Sequence, residues 1–239
     1  MKLLSVIIPA YNEEAYIGTL LSKIATVDTA SSGFRMEIIV VDDGSRDRTQ
    51  EIARGFASSG VVCISQKNQG KGRAVQSGVA EARGDYLLVQ DADLEYDPAD
   101  YPAMLAALSH ADVVYGSRTL GQLRHRKGLT PGRHPGQGLG PWIAGVVLTC
   151  WTFLLYGKWI TDTLTAYKLY PASVLKSMRV VTRGFETDHE VTARLIRGGL
   201  KIAEVPISYR PRSAAEGKKI KARDGLIALW TLLRFRFES

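Results

Sequence analysis

The chain has 239 residues, enough for one domain with a full hydrophobic core. Its 45% hydrophobic and 23% charged residues exclude collagen, coiled-coil and disordered classes. The net charge of +7 is divided unevenly: residues 1–116 carry 10 Lys+Arg against 16 Asp+Glu, and residues 117–239 carry 21 against 8. An acidic half able to hold a metal thus precedes a basic half suited to phosphates or an anionic membrane. In chain order, Leu4–Ile8 reads as a buried strand. Pro9 and the acidic Glu13-Glu14 follow it at once, which argues against a signal peptide. Helical spacing covers Glu13–Ile24, Glu37–Val41 is a strand, and Asp47–Phe56 a helix. Val61–Ser65 is a strand, Gly72–Ala82 a helix and Asp85–Gln90 a strand. Pro98, with Asp97 as cap, opens a helix to about Ser109, and Asp112–Gly116 is a short strand. Repeated βα units of this kind predict an α/β fold, with a mostly parallel Rossmann-like sheet and helices on both faces.

The alternation breaks at Ser117. Residues 118–140 hold Gly, Pro, Arg, His and Lys with almost no apolar periodicity, and are expected to form a functional, mobile loop. The apolar stretch Trp142–Tyr156 is about fifteen residues, short of the roughly twenty of a membrane span. It is expected to be a buried or interfacial helix over 141–156, with no transmembrane helix. A segment follows around Thr165–Tyr170, then a helix near 187–197 and a strand around Ile202–Ser208. A basic loop from Arg210 to Arg223 leads to an amphipathic segment, Gly225–Phe237. The organisation expected is a nucleotide- and metal-binding part (1–117), an acceptor loop (118–140) and an acceptor and membrane-interface part (141–239) of one catalytic domain. Cys63 and Cys150 lie in apolar runs and are expected as core thiols of a reducing compartment.

Ligands of an open parallel sheet gather at the carboxyl ends of its strands. Those ends read PAYNEE, DDGS and DADLEY. The first lacks GxGxxG, which disfavours a dinucleotide cofactor. Gly70-Lys71-Gly72 lacks the Ser or Thr of a Walker loop and reads mainly as a tight turn opening a helix, with backbone amides near a substrate as the alternative. Asp91-Ala92-Asp93 is sharper: alternate residues at a strand end can present two carboxylates to one hard divalent cation, with Glu95 as a third ligand. No nucleic-acid-binding signature is present.

The segments VIIPAYNEE, IIVVDDGSRDRT, QGKGRAVQSG, QDADLEY, GSR, ITDTLTAYKLY, GFETDHEVTARL and EVPISYRPR followed by EGKK run from residue 5 to about 221. Together they resemble glycosyltransferase family 2 and its GT-A type nucleotide-diphospho-sugar transferase fold. The last pair resembles the branch of dolichyl-phosphate mannose synthases and polyprenyl-phosphate glycosyltransferases. The resemblance implies that Pro9, Tyr11, Glu13, Val41 and Asp43 line the nucleotide pocket, with Ala92 and Asp93 contacting the donor. It implies Mg²⁺ or Mn²⁺ on Asp91, Asp93 and Glu95, and donor phosphates neutralised by Arg118, Arg212 and Lys218. That branch often has Gln where Glu95 stands; the extra carboxylate would either tighten metal binding or repel the diphosphate.

The activity implied is an inverting transfer of a hexose, mannose favoured, from a GDP- or UDP-sugar to a dolichyl or undecaprenyl phosphate. Asp93, Arg118 and Asp188 are the catalytic candidates. Glu186 shares the FETDHE segment with Asp188, where relatives with hydroxyl acceptors keep a base, and His189 is expected as a structural neighbour. Asp162 is a candidate sugar or acceptor contact. Arg118 is expected on phosphate, with Arg124, Arg126 or Arg133 gripping the lipid phosphate. The partners expected are the nucleotide sugar, the polyprenyl phosphate and the cytoplasmic membrane face as a peripheral surface, with no nucleic acid. The alternatives are a UDP-glucose-dependent glucosyltransferase on the same lipid, a family 2 transferase with a saccharide or protein hydroxyl acceptor, and a non-enzymatic nucleotide-sugar-binding module.

Overall fold

The computed structural model describes residues 1–125, 132–134, 137–212 and 222–238. Short β-branched and leucine-rich runs form the strands, and the amphipathic stretches between them form the helices. In chain order these are β1 (Lys2–Ala10), α1 (Ile17–Ala25), β2 (Phe34–Asp42), α2 (Thr49–Gly55), β3 (Val61–Ser65), α3 (Lys71–Glu81), β4 (Tyr86–Val89) and α4 (Tyr101–Ala107). There follow β5 (Val113–Ser117), α5 (Arg118–His125), α6 (Leu139–Tyr156), β6 (Lys168–Pro171), α7 (Ala172–Ser177), α8 (Thr187–Arg197), β7 (Ile202–Pro206) and α9 (Ala222–Phe237).

The seven described strands form one sheet in the order β3-β2-β1-β4-β6-β5-β7. β1 pairs in parallel with β2 and β4, β2 with β3, and β5 with β7, whereas β6 runs antiparallel to both β4 and β5. The predicted mostly parallel α/β sheet is therefore present, with β6 reversed in its centre. Side chains of β1 alternate between two cores, as a two-residue period requires. Leu4, Val6 and Ile8 pack with Leu20, Leu21 and Met104 on one face. Ile7 packs with Ile39, Val41, Val79 and Leu195 on the other. A third cluster, including Leu148, Ala193, Leu232 and Phe235, joins α6, α8 and α9.

Several boundaries differ from expectation. α1 begins at Ile17 rather than Glu13, because the amides of Tyr16 and Ile17 turn back onto the Glu13 carbonyl and leave Glu13 in the preceding loop. Asp97 does cap the next helical start, accepting from the Ala99 amide, although a 3₁₀ turn (Pro98–Asp100) precedes α4. The stretch expected as a loop from residue 118 opens with α5. That helix docks through Gly121, where a Cβ would collide with the Ile207 backbone, and through buried Gln122. A helix seated on glycine and glutamine has no apolar stripe to reveal it.

α6 also departs from expectation. It has 18 residues rather than about fifteen, a mean hydropathy of 1.6 and only 17% of its length buried, so by length and composition it could cross a membrane. The helix is thus longer than the sequence pattern suggested, and it is largely exposed rather than buried. α6 is anchored to α9 by side-chain caps on carbonyls: Trp151 Nε1 donates to Leu229 O at 3.1 Å and the Tyr156 hydroxyl to Leu232 O at 2.6 Å. The core-thiol reading is corrected for Cys150, which is exposed on α6; Cys63, half-buried on the edge strand β3, packs against the first core.

Candidate active site

The carboxyl ends of β1, β2, β4 and β5 and the start of the reversed β6 meet on one edge of the sheet, and the functional side chains collect there. The turn after β4 carries Leu94 at φ 57°, a left-handed conformation unusual for a branched side chain. Such strain persists only where the surroundings hold it, and here it places Asp93 and Glu95 in one cluster. Arg212 Nη2 lies 2.6 Å from Asp93 Oδ2 and its Nη1 3.2 Å from Glu13 Oε2. Glu95 Oε1 accepts from the Arg212 amide at 2.8 Å. Three carboxylates thus share one guanidinium, whose Nε is buried without a hydrogen-bond partner among the described residues. Burial, reinforced by Asp91 and Glu95, pushes the Asp93 carboxyl up to about 7 despite Arg212.

Those features test the metal expectation. Among the described residues no three acidic, His or Cys groups already converge on one ion position. The donor set is nevertheless all carboxylate, the chemistry that hard divalent cations prefer. Its excess negative charge and the ill-seated Arg212 leave a deficit that a divalent ion would fill. The residues fit Mg²⁺ or Mn²⁺ once Arg212 yields its place.

Asp91 is not in that cluster's grip. Its Oδ1 pairs with Lys71 Nζ at 2.6 Å. Lys71 opens α3, and α3 can approach α8 because Gly72 presents no Cβ to Thr187 and the Arg183 backbone. At the start of β6, Lys168 is fully buried. Its Nζ lies 3.5 Å from Asp188 Oδ1, donates to the Asp188 carbonyl at 3.1 Å and stands 4.8 Å from the Tyr115 ring centre. Burial would raise the Asp188 carboxyl, but Lys168 and Lys71 outweigh it and hold the group below the ordinary range. Asp188 is therefore a poor proton acceptor and a persistent anion. His189 is buried, and desolvation with Lys168 nearby pushes its ring down to about 4. Glu186 accepts from the Gly184 amide at 3.1 Å and shapes the turn before α8.

After β5, Arg118 and Asp162 form a two-point pair, with Nε to Oδ2 and Nη2 to Oδ1 both at 2.7 Å. Asp162 is presented by Glu204 of β7, whose carboxylate accepts from the amides of Thr161 and Asp162 at 2.8 and 3.1 Å. The pair forms the polar floor of a groove of about 250 Å³, walled by Trp142, Val146, Trp159, Leu164 and Tyr209.

The remaining expected residues fall as follows. Pro9 and Val41 are register partners at the ends of β1 and β2. The side chains of Val41 and Ala92 are buried in the protein, so only their backbone groups can meet a ligand. Tyr11 is half-buried at the same edge. Asp43 accepts from Gln66 Nε2 and from the Gln69 and Gly70 amides at 2.7–2.9 Å, which orders the loop before α3. Arg133 Nε donates to the Gln137 carbonyl at 2.9 Å, and Arg124 is exposed on α5. Lys218 and Arg126 lie outside the described residues. Sequence reasoning missed Lys71, Lys168, Glu204 and Tyr209. A lone lysine in the apolar run AYKLY was the available signal for Lys168.

A mostly parallel sheet with one reversed strand, carrying an acidic cluster at its strand ends, is the arrangement expected of the GT-A type fold that the sequence resembles. The family model described as "Glycosyl transferase family 2" matches residues 5–138, and the chain belongs to that family. It is 31% identical over 224 residues to a dolichol-phosphate mannosyltransferase of Pyrococcus furiosus, covering 90% of this chain and 58% of that one. It is also 31% identical over 213 residues to a low-salt glycan biosynthesis hexosyltransferase of Haloferax volcanii, covering 87% of this chain and 48% of that one. The chain thus spans about half the length of these relatives. Glucosyl-3-phosphoglycerate synthase of Mycobacterium tuberculosis, solved with Mn²⁺, UDP and glucosyl-3-phosphoglycerate, shares the fold. Its TM-score is 0.66 at 22% identity, over 98% of this chain and 80% of that one.

Proposed function

We propose that this chain transfers a hexose, mannose favoured, from a nucleotide-diphospho-sugar to a polyprenyl phosphate, with inversion at the anomeric carbon. The observation that carries this reading is the adjacency of two unlike sites, the acidic cluster around Asp93 and the apolar groove floored by Arg118 and Asp162. A nucleotide diphosphate with its cation suits the first; a lipid chain ending in phosphate suits the second.

The nucleotide lies over the ends of β1 and β2, against Pro9, Tyr11, Glu13, Asp43 and the backbone at Val41 and Ala92. Asp93 and Glu95, with Asp91 once it is freed from Lys71, would hold a divalent metal, which when bound would offset the charge of the diphosphate leaving group. Arg212, released from the carboxylates, and Lys218 add cationic contacts to that diphosphate. Arg118 faces the acceptor phosphate. Asp162 takes two of its roughly five N–H donors and leaves the others for phosphate oxygens. A phosphate oxygen attacks the anomeric carbon, the bond from that carbon to the nucleoside diphosphate breaks, and the diphosphate leaves with the electron pair. The acceptor is already anionic, so no strong base is required. Asp188, kept ionised by Lys168 and Lys71, is suited to accept hydrogen bonds from sugar hydroxyls.

The groove opens beside α6, whose Ile143, Val146, Val147, Phe153 and Leu154 are exposed, as are Leu226 and Trp230 of α9. The middle of α6 is seated on the protein through Leu148, Thr149 and Thr152. A helix docked at its centre lies in the membrane interface more readily than across the bilayer. The protein is thus read as peripheral at the cytoplasmic membrane face. Support comes from the relatives named above, one of which is a dolichol-phosphate mannosyltransferase. The test is a screen of radiolabelled GDP- and UDP-hexoses with polyprenyl phosphate in detergent and Mn²⁺. Labelled lipid is the expected product; label released only to water or to added saccharides would overturn the reading.

A further inference from the structure

Tyr209 stands between the two halves of the site and touches both. Its hydroxyl donates to Glu95 Oε2 at 3.1 Å, on the side of the acidic cluster. Its ring lies 5.0 Å under the Arg118 guanidinium, meets the His134 ring edge-on at 5.1 Å, and forms part of the groove wall. The backbone fastens it in place. Tyr209 forms a bridge with Tyr96, and the Arg210 amide donates to the Glu95 carbonyl at 2.9 Å. Burial drives the phenol well above its ordinary range, so the hydroxyl remains a donor at neutral pH.

From these contacts we infer that Tyr209 is a positioning residue that couples occupation of the acceptor groove to nucleotide binding at the acidic cluster. A phosphate that draws on Arg118 changes the cation over the ring. The ring is joined through its hydroxyl to Glu95, and Glu95 through Arg212 to Asp93. A cation that displaces Arg212 re-aims Glu95 and acts on the ring from the other direction. Coupling between two binding equilibria is reciprocal, so either ligand tunes the site for the other by the same factor. The inference rests on the proposed reading of the two sites and adds the residue that joins them.

Calorimetry on the full chain tests it. UDP and GDP are titrated in Mn²⁺, with and without saturating citronellyl phosphate, a short soluble acceptor. The nucleotide that binds the wild type more tightly is then used for Tyr209→Phe and Tyr209→Leu. In the wild type, citronellyl phosphate is expected to change nucleotide affinity by about fivefold or more. Tyr209→Phe keeps the ring and loses the hydroxyl. Its coupling factor is expected to fall below about twofold. Tyr209→Leu is expected to lose coupling and also to weaken the acceptor. An unchanged coupling factor in Tyr209→Phe, or no coupling in the wild type, would overturn the inference. Failure of the wild type to bind either ligand would instead overturn the proposed function beneath it.

Discussion

The largely buried Asp93 side chain has Asp91 and Glu95 close by, and its carboxyl is pushed up to about 7. On the proposed reading this group holds the cation, and transition-state charge contacts of this kind are worth ~10²–10³ in rate. Asp93→Asn is expected to lower turnover by that order and to weaken Mn²⁺ binding in calorimetry. Undiminished wild-type turnover in excess chelator would contradict it. His189 makes a separate prediction about stability. Its ring is held near 4 in the fold, against an ordinary value of 6.5. The unfolded chain therefore binds the extra proton first. The stability this ring contributes is present above about 6.5 and is lost as pH falls toward 4, by up to about 1.4 kcal/mol per pH unit. Urea midpoints measured at pH 7 and pH 5 are expected to drop less in His189→Gln than in the wild type.

Elements explain why the site has a dry side. α6 and α9 pack on each other and on α8 through Leu148, Ala193 and Leu232, while Leu154 and Trp230 are 73% and 63% exposed. Exposed apolar residues gain nothing from folding, so charges there leave stability within about 0.5 kcal/mol. They do oppose insertion into a lipid interface. The double variant Leu154→Glu, Trp230→Glu is expected to melt like the wild type yet to sediment poorly with anionic vesicles. Equal sedimentation of the two proteins would count against the proposed membrane contact through this face. α5 shows the opposite relation between sequence and element. It is a helix whose packing face is a glycine and a glutamine, so hydropathy reads it as a loop.

At the scale of the whole molecule, Arg212 closes the fold on itself. It reaches Asp93 across 119 residues and Glu13 across 199, so a cation from the last third of the chain meets acids of the first two. Removing one partner of a largely buried ion network leaves uncompensated charge. Arg212→Gln is expected to lower the melting temperature in chelator by more than it does in saturating Mn²⁺, because the ion replaces the lost cation. The same loss in both conditions would show that Arg212 and the metal do not share a position.

Much of the first 117 residues was legible because short-range rules govern it. Strands and helices follow from periods of two and 3.6, and the carboxyl ends of parallel strands are where ligands gather. Asp91, Asp93, Glu95 and Glu13 could therefore be placed on one edge from the sequence alone. Which cation meets which carboxylate was decided only by tertiary structure. Lys71 takes Asp91, Lys168 takes Asp188, Asp162 takes Arg118, and Arg212 takes three acids at once. Ion pairing depends on distance and burial, and neither is encoded by neighbours in the chain. The reversed β6, the close approach allowed by Gly72 and the return of residues 209–212 onto Glu95 bring those charges together. Local pattern determined where the acids lie; closure of the fold determined what holds them.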